Sequence, residues 1–314
     1  MRSKLWRLGT LYLVLVMVVS LIMACAPPDE DEVPSPIEVT DQLGRVVKLE
    51  KFPERIISLA PGNTEILFAL GLGDKVVGVT DFCNYPTEAQ EKLKIGGFST
   101  PNIEEVVALS PELILATERH EASIIPALEG KGLAVFALDP KTLDEILEAV
   151  TLVGDITGNE EVASQLVTEM SNRIKAVTDK TDNLPEAQRL RVLYICWHDP
   201  LKTAGGDTHH EELIVKAGGI NIAHDLTGFP MINLETVIDA NPQVIITGAG
   251  MGTGENKPLQ LALTEPRLAD VDARINNRIY AISTDLSGRA GPRIVDGLEK
   301  FAESIHPELF VSVE

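Results

Sequence analysis

The chain has 314 residues, 44% hydrophobic and 24% charged, which excludes a disordered or fibrous protein and leaves room for one large domain or two. Its 27 Lys and Arg residues against 47 Asp and Glu residues give a net charge of −20, so it offers no electrostatic footprint for nucleic acid. Three cysteines are too few for a disulfide scaffold.

Residues 1–24 are predicted to be a signal peptide. Arg2, Lys4 and Arg7 give a basic start, and the run Leu8–Ala24 is almost wholly apolar. The segment Ile22-Met-Ala-Cys25 resembles a bacterial lipobox, in which the cysteine is lipidated and becomes the new N-terminus. A plain N-terminal membrane anchor is the alternative, because the apolar run nearly reaches spanning length. Either interpretation places the folded part outside the cytoplasm, held to a membrane.

Residues 25–36 are predicted to be a tether, since they carry four consecutive acidic residues between prolines. From Ile37 onward, short apolar runs alternate with helical stretches, a pattern that predicts parallel β–α units. The strands predicted first are Arg55–Ala60, Lys75–Thr80, Leu113–Ala116 and Ala134–Leu138, and the helices are one beginning at Glu65, then Asn102–Leu109, Ala122–Leu128 and Thr142–Ile156.

One long helix is predicted over Asn159–Thr181. Its apolar residues fall on one stripe, and neither glycine nor proline interrupts it. At about 1.5 Å per residue it would be roughly 34 Å long. The β–α alternation resumes at Arg191–Cys196. We therefore expect an N-terminal lobe at 37–157, a connecting helix at 158–184 and a C-terminal lobe at 185–314.

The two β–α regions resemble each other. Asn102–Thr117 aligns with Asn233–Gly248, and Glu65–Gly71 aligns with Glu212–Gly218 in the same order. The predicted fold is α/β, with two similar three-layer β–α lobes around central, mostly parallel sheets, joined by one long α-helix. A ligand site is expected where the carboxyl ends of parallel strands face a crevice. A continuous helix between the lobes predicts a largely pre-formed cleft.

Four segments of the sequence carry a resemblance to a known family of proteins. Val77–Pro86, Ala217–Ala223, and Arg289–Arg293 with His306–Phe310 resemble the cobalamin-binding branch of the helical-backbone substrate-binding proteins of ABC importers. The resemblance implies a non-enzymatic receptor without a resident cofactor. It would capture cobalamin or a related corrinoid and deliver it to a permease with ATPase subunits. A ferric-siderophore or heme receptor of the same class is the alternative.

Two glutamates occupy equivalent positions in the predicted lobes. Glu65 and Glu212 each lie near a helix start, where the helix dipole would explain an acidic residue. In the family that the chain resembles, one acidic residue of each lobe docks onto arginines of the transporter. That resemblance implies docking for both residues, and we expect them on the outer face around the cleft mouth.

Candidate ligand contacts follow the predicted strands. A planar corrin needs broad apolar walls and a few polar groups for its amide arms. Trp197 could instead be a core aromatic under a loop, and Arg289 a surface ion pair with Asp285. An ordinary turn would equally explain the segment 61–63. The residues expected in the cleft are Pro61, Gly62, Asn63, Phe82, Tyr85, Trp197, His198, Phe229, Asp285 and Arg289.

Metal and enzyme chemistry find less support. A site for free Zn²⁺ or Mn²⁺ needs three or four convergent ligands, and the adjacent His209 and His210 should diverge. The sequence has no Gly-x-Ser-x-Gly, Walker or His-Glu-x-x-His motif, so a metal-dependent enzyme is a distant alternative. The glycine-rich run Gly248–Gly254 is interpreted as a flexible cleft-edge loop. Cys83 and Cys196 are predicted to be buried thiols, with a bridge between the two halves as the alternative.

Overall fold

The computed structural model describes residues 36–250 and 256–310. The predicted signal peptide, Cys25 and nearly all of the tether lie outside the described residues, as do residues 251–254 of the Gly248–Gly254 run. No helix within the described ranges combines the length and apolarity that crossing a membrane would require.

The N-lobe, defined here as residues 37–157, contains an antiparallel hairpin, a parallel sheet and flanking helices. Its strands are β1 (Ile37–Thr40), β2 (Val46–Leu49), β3 (Ile56–Ser58), β4 (Val76–Val79), β5 (Leu113–Thr117) and β6 (Val135–Leu138), and its helices are α1 (Pro61–Ala69), α2 (Ile103–Ala108), α3 (Ile124–Glu129) and α4 (Leu143–Thr157). The hairpin joins β1 to β2, and the parallel sheet has the order β4-β3-β5-β6.

The long helix α5 (Glu160–Thr181) confirms the predicted connection between the lobes. Gly158 ends α4 with a left-handed backbone (φ 71°), a conformation that glycine adopts without steric penalty. One face of α5 buries Ala163, Met170 and Val177. Leu166, Val167 and Ile174 pack partly buried beside them, and the other positions are mostly polar, as expected for an amphipathic helix that lies along the surface of the core.

The C-lobe, defined here as residues 185–310, repeats the pattern. Its strands are β7 (Leu190–Ile195), β8 (Trp197–His198), β9 (Leu201–Lys202), β10 (Gly219–Asn221), β11 (Val244–Ala249) and β12 (Ile279–Ser283), and its helices are α6 (His209–Lys216), α7 (Leu234–Ala240), α8 (Lys257–Thr264), α9 (Asp272–Ile275), α10 (Thr284–Ser287), α11 (Ile294–Ile305) and α12 (Pro307–Phe310). The parallel sheet has the order β10-β7-β11-β12, and β8 pairs with β9 as a short hairpin.

Both parallel sheets share one topology. In each lobe the second strand of the sheet lies at one edge, beside the first, and the third and fourth follow on the other side. The helices that precede the equivalent glycines also match, since Gly71 and Gly218 both have positive φ angles, 75° and 83°. The similarity predicted from the aligned segments is thus present in strand order and in backbone conformation.

Alternation along the strands divides the core into layers. In β5, Leu113 and Leu115 face one side of the sheet while Ile114 faces the other, as a pleated strand requires. The side that contains Leu113 belongs to a cluster that continues through α5 into the C-lobe, where Val192 and Tyr194 join it. A shared core of this kind opposes independent motion of the two lobes.

Candidate ligand cleft between the lobes

Parallel strands bring the predicted site residues to two facing edges. In the N-lobe the turn after β3 begins α1, and the loop after β4 carries Phe82 and Tyr85. In the C-lobe Trp197 follows β7, Phe229 follows β10, and Arg289 follows β12. Each position lies at the carboxyl end of its strand, where open α/β sheets bind ligands.

A cross-lobe ion-pair network, which we call the arginine clasp, lies at the centre of this region. Its anchor is the carboxylate of Glu65 in α1, which faces the guanidinium of Arg293 in the C-lobe. Nη2 of Arg293 donates to Oε1 of Glu65 at 2.6 Å, and Nε donates to Oε2 at 3.0 Å. This two-point geometry fixes the orientation of both groups. The clasp consists of Glu65, Asn84 and Tyr85 from the N-lobe and Asp285, Arg289 and Arg293 from the C-lobe.

Arg289 joins the clasp from within the predicted site. Its Nη1 donates to Oδ1 of Asn84 at 2.7 Å and approaches Oε1 of Glu65 at 3.4 Å. Its Nη2 pairs with Oδ1 of Asp285 at 2.7 Å and approaches the carbonyl oxygen of Phe82 at 3.4 Å. The structure therefore brings four sequence-predicted residues, Phe82, Asp285, Arg289 and Glu65, into one contact.

The charged side chains of the clasp are mostly buried. The side chain of Glu65 is 1% exposed, and those of Arg289 and Arg293 are 15% and 18% exposed. Burial by itself lowers the pKa of Arg293, but the hydrogen bonds and charge of Glu65 outweigh it and the pKa is raised. The guanidinium carbon of Arg293 also lies 3.8 Å from the ring centroid of Tyr85, a cation–π contact.

The expected exposure of Glu65 is wrong. Its carboxylate is enclosed between the lobes, because two arginines of the C-lobe cover it. A carboxylate held in this way is not presented on the outer face, so we do not retain a docking role for it. Glu212 is partly exposed, but it too contacts the opposite lobe: its Oε2 accepts a hydrogen bond from the backbone N–H of Leu143 at 2.7 Å.

Residues 61–63 pack against neighbouring elements and do not form an open surface of the cleft. A Cβ added to Gly62 would lie 2.4 Å from the carbonyl oxygen of Ala290, so the two backbones touch here and the position requires glycine. Asn63 is buried, and its side-chain amide donates to the carbonyl of Ala116 at 2.9 Å. Both residues are buried in the packing between elements, so the structure does not place them on an open cleft surface. Pro61 begins α1, where its missing N–H leaves no helical bond unmade.

Trp197 and His198 lie on a short ribbon beside the cleft. Strand β8 pairs with β9, and β9 in turn contacts the segment that follows Phe229, through the bridge of Lys202 with Met231. Trp197 is half-buried against the shared core, and its indole N–H donates to the carbonyl of Asp199. Phe229 is 51% exposed at the far end of this ribbon. Their contact with a ligand stays a prediction.

His210 is a residue whose importance the sequence did not reveal. It is buried between Tyr194 and Phe229, at ring-centroid distances of 4.1 and 5.6 Å. Neither ring nitrogen has a hydrogen-bond partner among the described residues. Burial and the neighbouring His209 lower the pKa of His210 to about 3, so the ring is neutral. Its Cε1 lies near Gly288, which precedes Arg289 in the chain, since a Cβ placed on that glycine would be 4.0 Å away.

Asn84 and Arg293 were also missed as individual residues. Both lie inside segments that carried the family resemblance, Val77–Pro86 and Arg289–Arg293. Their spacing from Phe82 and Arg289 gave no sign of the contact between lobes, because that contact joins residues about 200 positions apart.

One further histidine and the two predicted thiols are buried. His120 is buried and its Nε2 lies 2.7 Å from the carbonyl oxygen of Phe98, so it is held in a structural role. Cys83 and Cys196 are buried and unbridged, as the first interpretation predicted, and burial raises the pKa of Cys196 to about 11. Within the described ranges, no group of three or more His, Cys, Asp or Glu side chains is arranged to hold a metal ion.

Comparisons with known proteins agree with this architecture. The family model described as "Periplasmic binding protein" matches residues 56–286. The ABC transporter substrate-binding lipoprotein YvrC of Bacillus subtilis, itself uncharacterized, is 33% identical over 282 residues, covering 88% of this chain and 87% of its own. The vitamin B12-binding protein of Vibrio cholerae is 31% identical over 252 residues, covering 79% and 88%. The periplasmic heme-binding protein RhuT of Roseiflexus sp. RS-1 superposes with a TM-score of 0.71 at 26% identity, covering 82% of this chain and 99% of its own.

Proposed function

Because this chain belongs to the periplasmic binding protein family, we propose that it captures cobalamin or a related corrinoid in its cleft for an ABC importer. The observation that carries the ligand is the similarity to a vitamin B12-binding protein over 79% of the chain. The delivery partners would be a permease and its ATPase subunits. A transport receptor of this kind needs no catalytic group, and it functions by binding and release alone.

The cleft suits a large planar ligand with polar arms. Phe82, Tyr85 and Phe229 are 59%, 45% and 51% exposed, a high value for aromatic side chains. Exposed aromatics near strand ends supply flat apolar area with few rotatable bonds. Between them the arginine clasp supplies polar atoms that can meet amide groups at the edge of a corrin.

The anchor is part of the same proposal. Lipidation at Cys25 would keep the receptor close to its permease outside the cytoplasm, and the tether at 25–36 would let it reach the pore. A similar lipoprotein, YvrC, supports this placement. Release of a Cys25→Ser protein from the membrane fraction would establish the lipid anchor, and unchanged fractionation would contradict it.

For docking to the transporter we propose another pair of carboxylates in place of Glu65 and Glu212. Glu104 in α2 and Glu235 in α7 occupy matching positions in the aligned segments, and both are exposed. Each lies in the first turn of its helix, behind the capping side chains of Asn102 and Asn233. Since both helices follow the second strand of their sheet, they begin at the edges that border the cleft. The duplication argument made for Glu65 therefore holds for this pair, with the exposure that docking requires.

Heme is the second candidate. The similarity to RhuT favours it, and so does His198, whose Nδ1 is buried with no partner among the described residues. An imidazole at a cleft edge could coordinate heme iron.

Titration of the purified mature protein with cyanocobalamin, hemin and a ferric siderophore separates these ligands. We expect micromolar or tighter cobalamin binding by calorimetry, on the order of −8 kcal/mol or better. Phe229→Ala should weaken it by about tenfold or more, since an aromatic wall is lost. Ile275→Ala is the matched control, because Ile275 is exposed in α9, away from the cleft. Tight hemin binding without a cobalamin signal would transfer the proposal to heme.

A further inference from the structure

The charges of the arginine clasp cancel. Arg289 and Arg293 contribute two positive charges, and Glu65 and Asp285 contribute two negative charges. We propose that Glu65 is a specificity-determining residue: by neutralising the cleft arginines from the opposite lobe, it makes the cleft select ligands with amide arms over ligands with carboxylate arms. The inference rests on the proposed function and names the chemical class of ligand that the cleft accepts.

The hydrogen bonds of Arg289 show how fully its charge is engaged. A guanidinium has five N–H donors. Nη1 faces Glu65 and Asn84, and Nη2 faces Asp285 and the carbonyl of Phe82, so four of these donors have acceptors. The planar fork that would otherwise grip a carboxylate of a ligand is therefore occupied by the protein itself.

Arg293 is engaged in the same way. Its Nε and Nη2 hold both oxygens of Glu65, and its flat face lies on the ring of Tyr85. The side chain is 18% exposed, so little of the guanidinium faces solvent. A ligand that enters the cleft meets two arginines whose positive charge is already balanced.

An anionic arm would gain little here and lose its water. Moving a carboxylate into a cleft removes hydration that an opposite charge must replace, and the clasp has no net charge with which to replace it. The rest of the chain gives no compensation, since the whole protein carries a net charge of −20. An amide arm needs only hydrogen bonds, which the exposed side chain of Asn84 can provide.

Replacing Glu65 by glutamine tests the inference directly. Glutamine keeps the shape and one acceptor oxygen, while the clasp changes from a net charge of zero to +1. The matched ligands are dicyanocobyrinic acid and its heptaamide, which differ only in carboxylate against amide arms. Wild type should prefer the heptaamide, and Glu65→Gln should reduce that preference by about tenfold, an effect that fades at high salt.

Two further variants separate charge from structure. Glu212→Gln removes a negative charge from the other cross-lobe glutamate, which faces no arginine in the described residues, and should leave the preference unchanged. Asp285→Asn removes the other negative charge of the clasp and should move the preference in the same direction as Glu65→Gln, which keeps the test valid if the Glu65 variant fails to fold. Equal weakening of both ligands, with no change in their ratio, would overturn the inference.

The experiment distinguishes a failure of the proposed corrinoid function from a failure of the proposed role of Glu65. If wild type binds neither corrinoid, the corrinoid function is wrong, and hemin against its dimethyl ester poses the same question of charge. A gain for hemin over the ester in Glu65→Gln would still support Glu65 as the selecting residue. An unchanged ratio for that pair would overturn it.

Discussion

The two lobes touch each other through equivalent helices with different chemistry. In the N-lobe, α1 directs Glu65 to two arginines that follow the fourth strand of the opposite sheet. In the C-lobe, α6 directs Glu212 to the backbone N–H of Leu143, which follows the fourth strand of the N-lobe sheet. One glutamate is buried in a charge network, and the other is a partly exposed cap on the first turn of α4.

Neighbouring positions have diverged in the same manner. The alignment of α1 with α6 makes Gly62 equivalent to His209 and Asn63 equivalent to His210. Gly62 permits backbone contact with the C-lobe, whereas Nδ1 of His209 lies 2.6 Å from the carbonyl oxygen of Lys141. Asn63 has a hydrogen-bond partner, whereas His210 has none among the described residues. The two lobes therefore meet at equivalent positions, while the chemistry of the contact differs between the two sides.

The sharpest way to break this comparison is to remove each glutamate. Glu65→Ala leaves two mostly buried arginines without their shared carboxylate, and we expect the free energy of unfolding to fall by about 3 kcal/mol. Glu212→Ala removes one hydrogen bond at a helix start and should lower it by about 1 kcal/mol. Urea denaturation of both variants gives the two values. Equal losses would show that the contacts are energetically alike despite their different chemistry.

The next expected effect is a loss of stability at low pH that comes from His210 in the C-lobe. The folded pKa of His210 is about 3, against an ordinary value of 6.5, so the unfolded chain binds a proton that the folded chain does not. Burial of the neutral His210 ring therefore has no cost in the free energy of unfolding well above pH 6.5. As the pH falls towards 3, that free energy decreases, by about 2 kcal/mol at pH 5. His210→Leu should remove that part of the acid sensitivity, measured as the unfolding free energy at pH 5 and pH 7.5.

His224 provides a control of opposite sign. A hydrogen bond that His224 donates to the carboxylate of Glu211 raises the pKa of His224, so this pair contributes stability below the ordinary pKa that is lost as the pH rises. His224→Gln should therefore not reduce the acid sensitivity of the protein. If His210→Leu leaves the pH dependence unchanged, the buried imidazole is not the group that makes the C-lobe contact acid-sensitive.

The comparison also shows what the sequence could reveal about the fold. Apolar periodicity predicted α5 nearly to the residue, because Asn159–Thr181 contains no residue that ends a helix. The aligned segments anticipated the shared strand order, since equivalent strands and helices keep equivalent turns. Both patterns are local in sequence, so they can be recognised without knowing how the two lobes pack against each other.

The site was less predictable for the same reason. The ion pair of Arg289 with Asp285, which was the alternative to ligand contact, could be anticipated because the two residues are four positions apart. The pairing of Arg293 with Glu65 depends on how two lobes pack, which no local pattern encodes. An acidic residue near a helix start also has a dipole explanation, so sequence alone could not separate an exposed glutamate from a buried one.

The smallest effect on the isolated protein is expected where the lobes have remained alike. Glu104 and Glu235 are both exposed in the first turn of their helices, and their removal should change the unfolding free energy by less than about 0.5 kcal/mol each. Neither belongs to the arginine clasp, so ligand affinity should be unaltered in Glu104→Ala/Glu235→Ala. If each lobe presents one carboxylate to a subunit of the permease, uptake and ligand-stimulated ATP hydrolysis should fall by about tenfold or more in the double variant, and by less in either single variant.

Glu105→Ala is the matched control, because this exposed neighbour has no acidic counterpart in the C-lobe, where Thr236 occupies the equivalent position. Normal transport by the double variant would contradict two-point docking at these residues, and it would mean that likeness between the lobes marks only a common helix start.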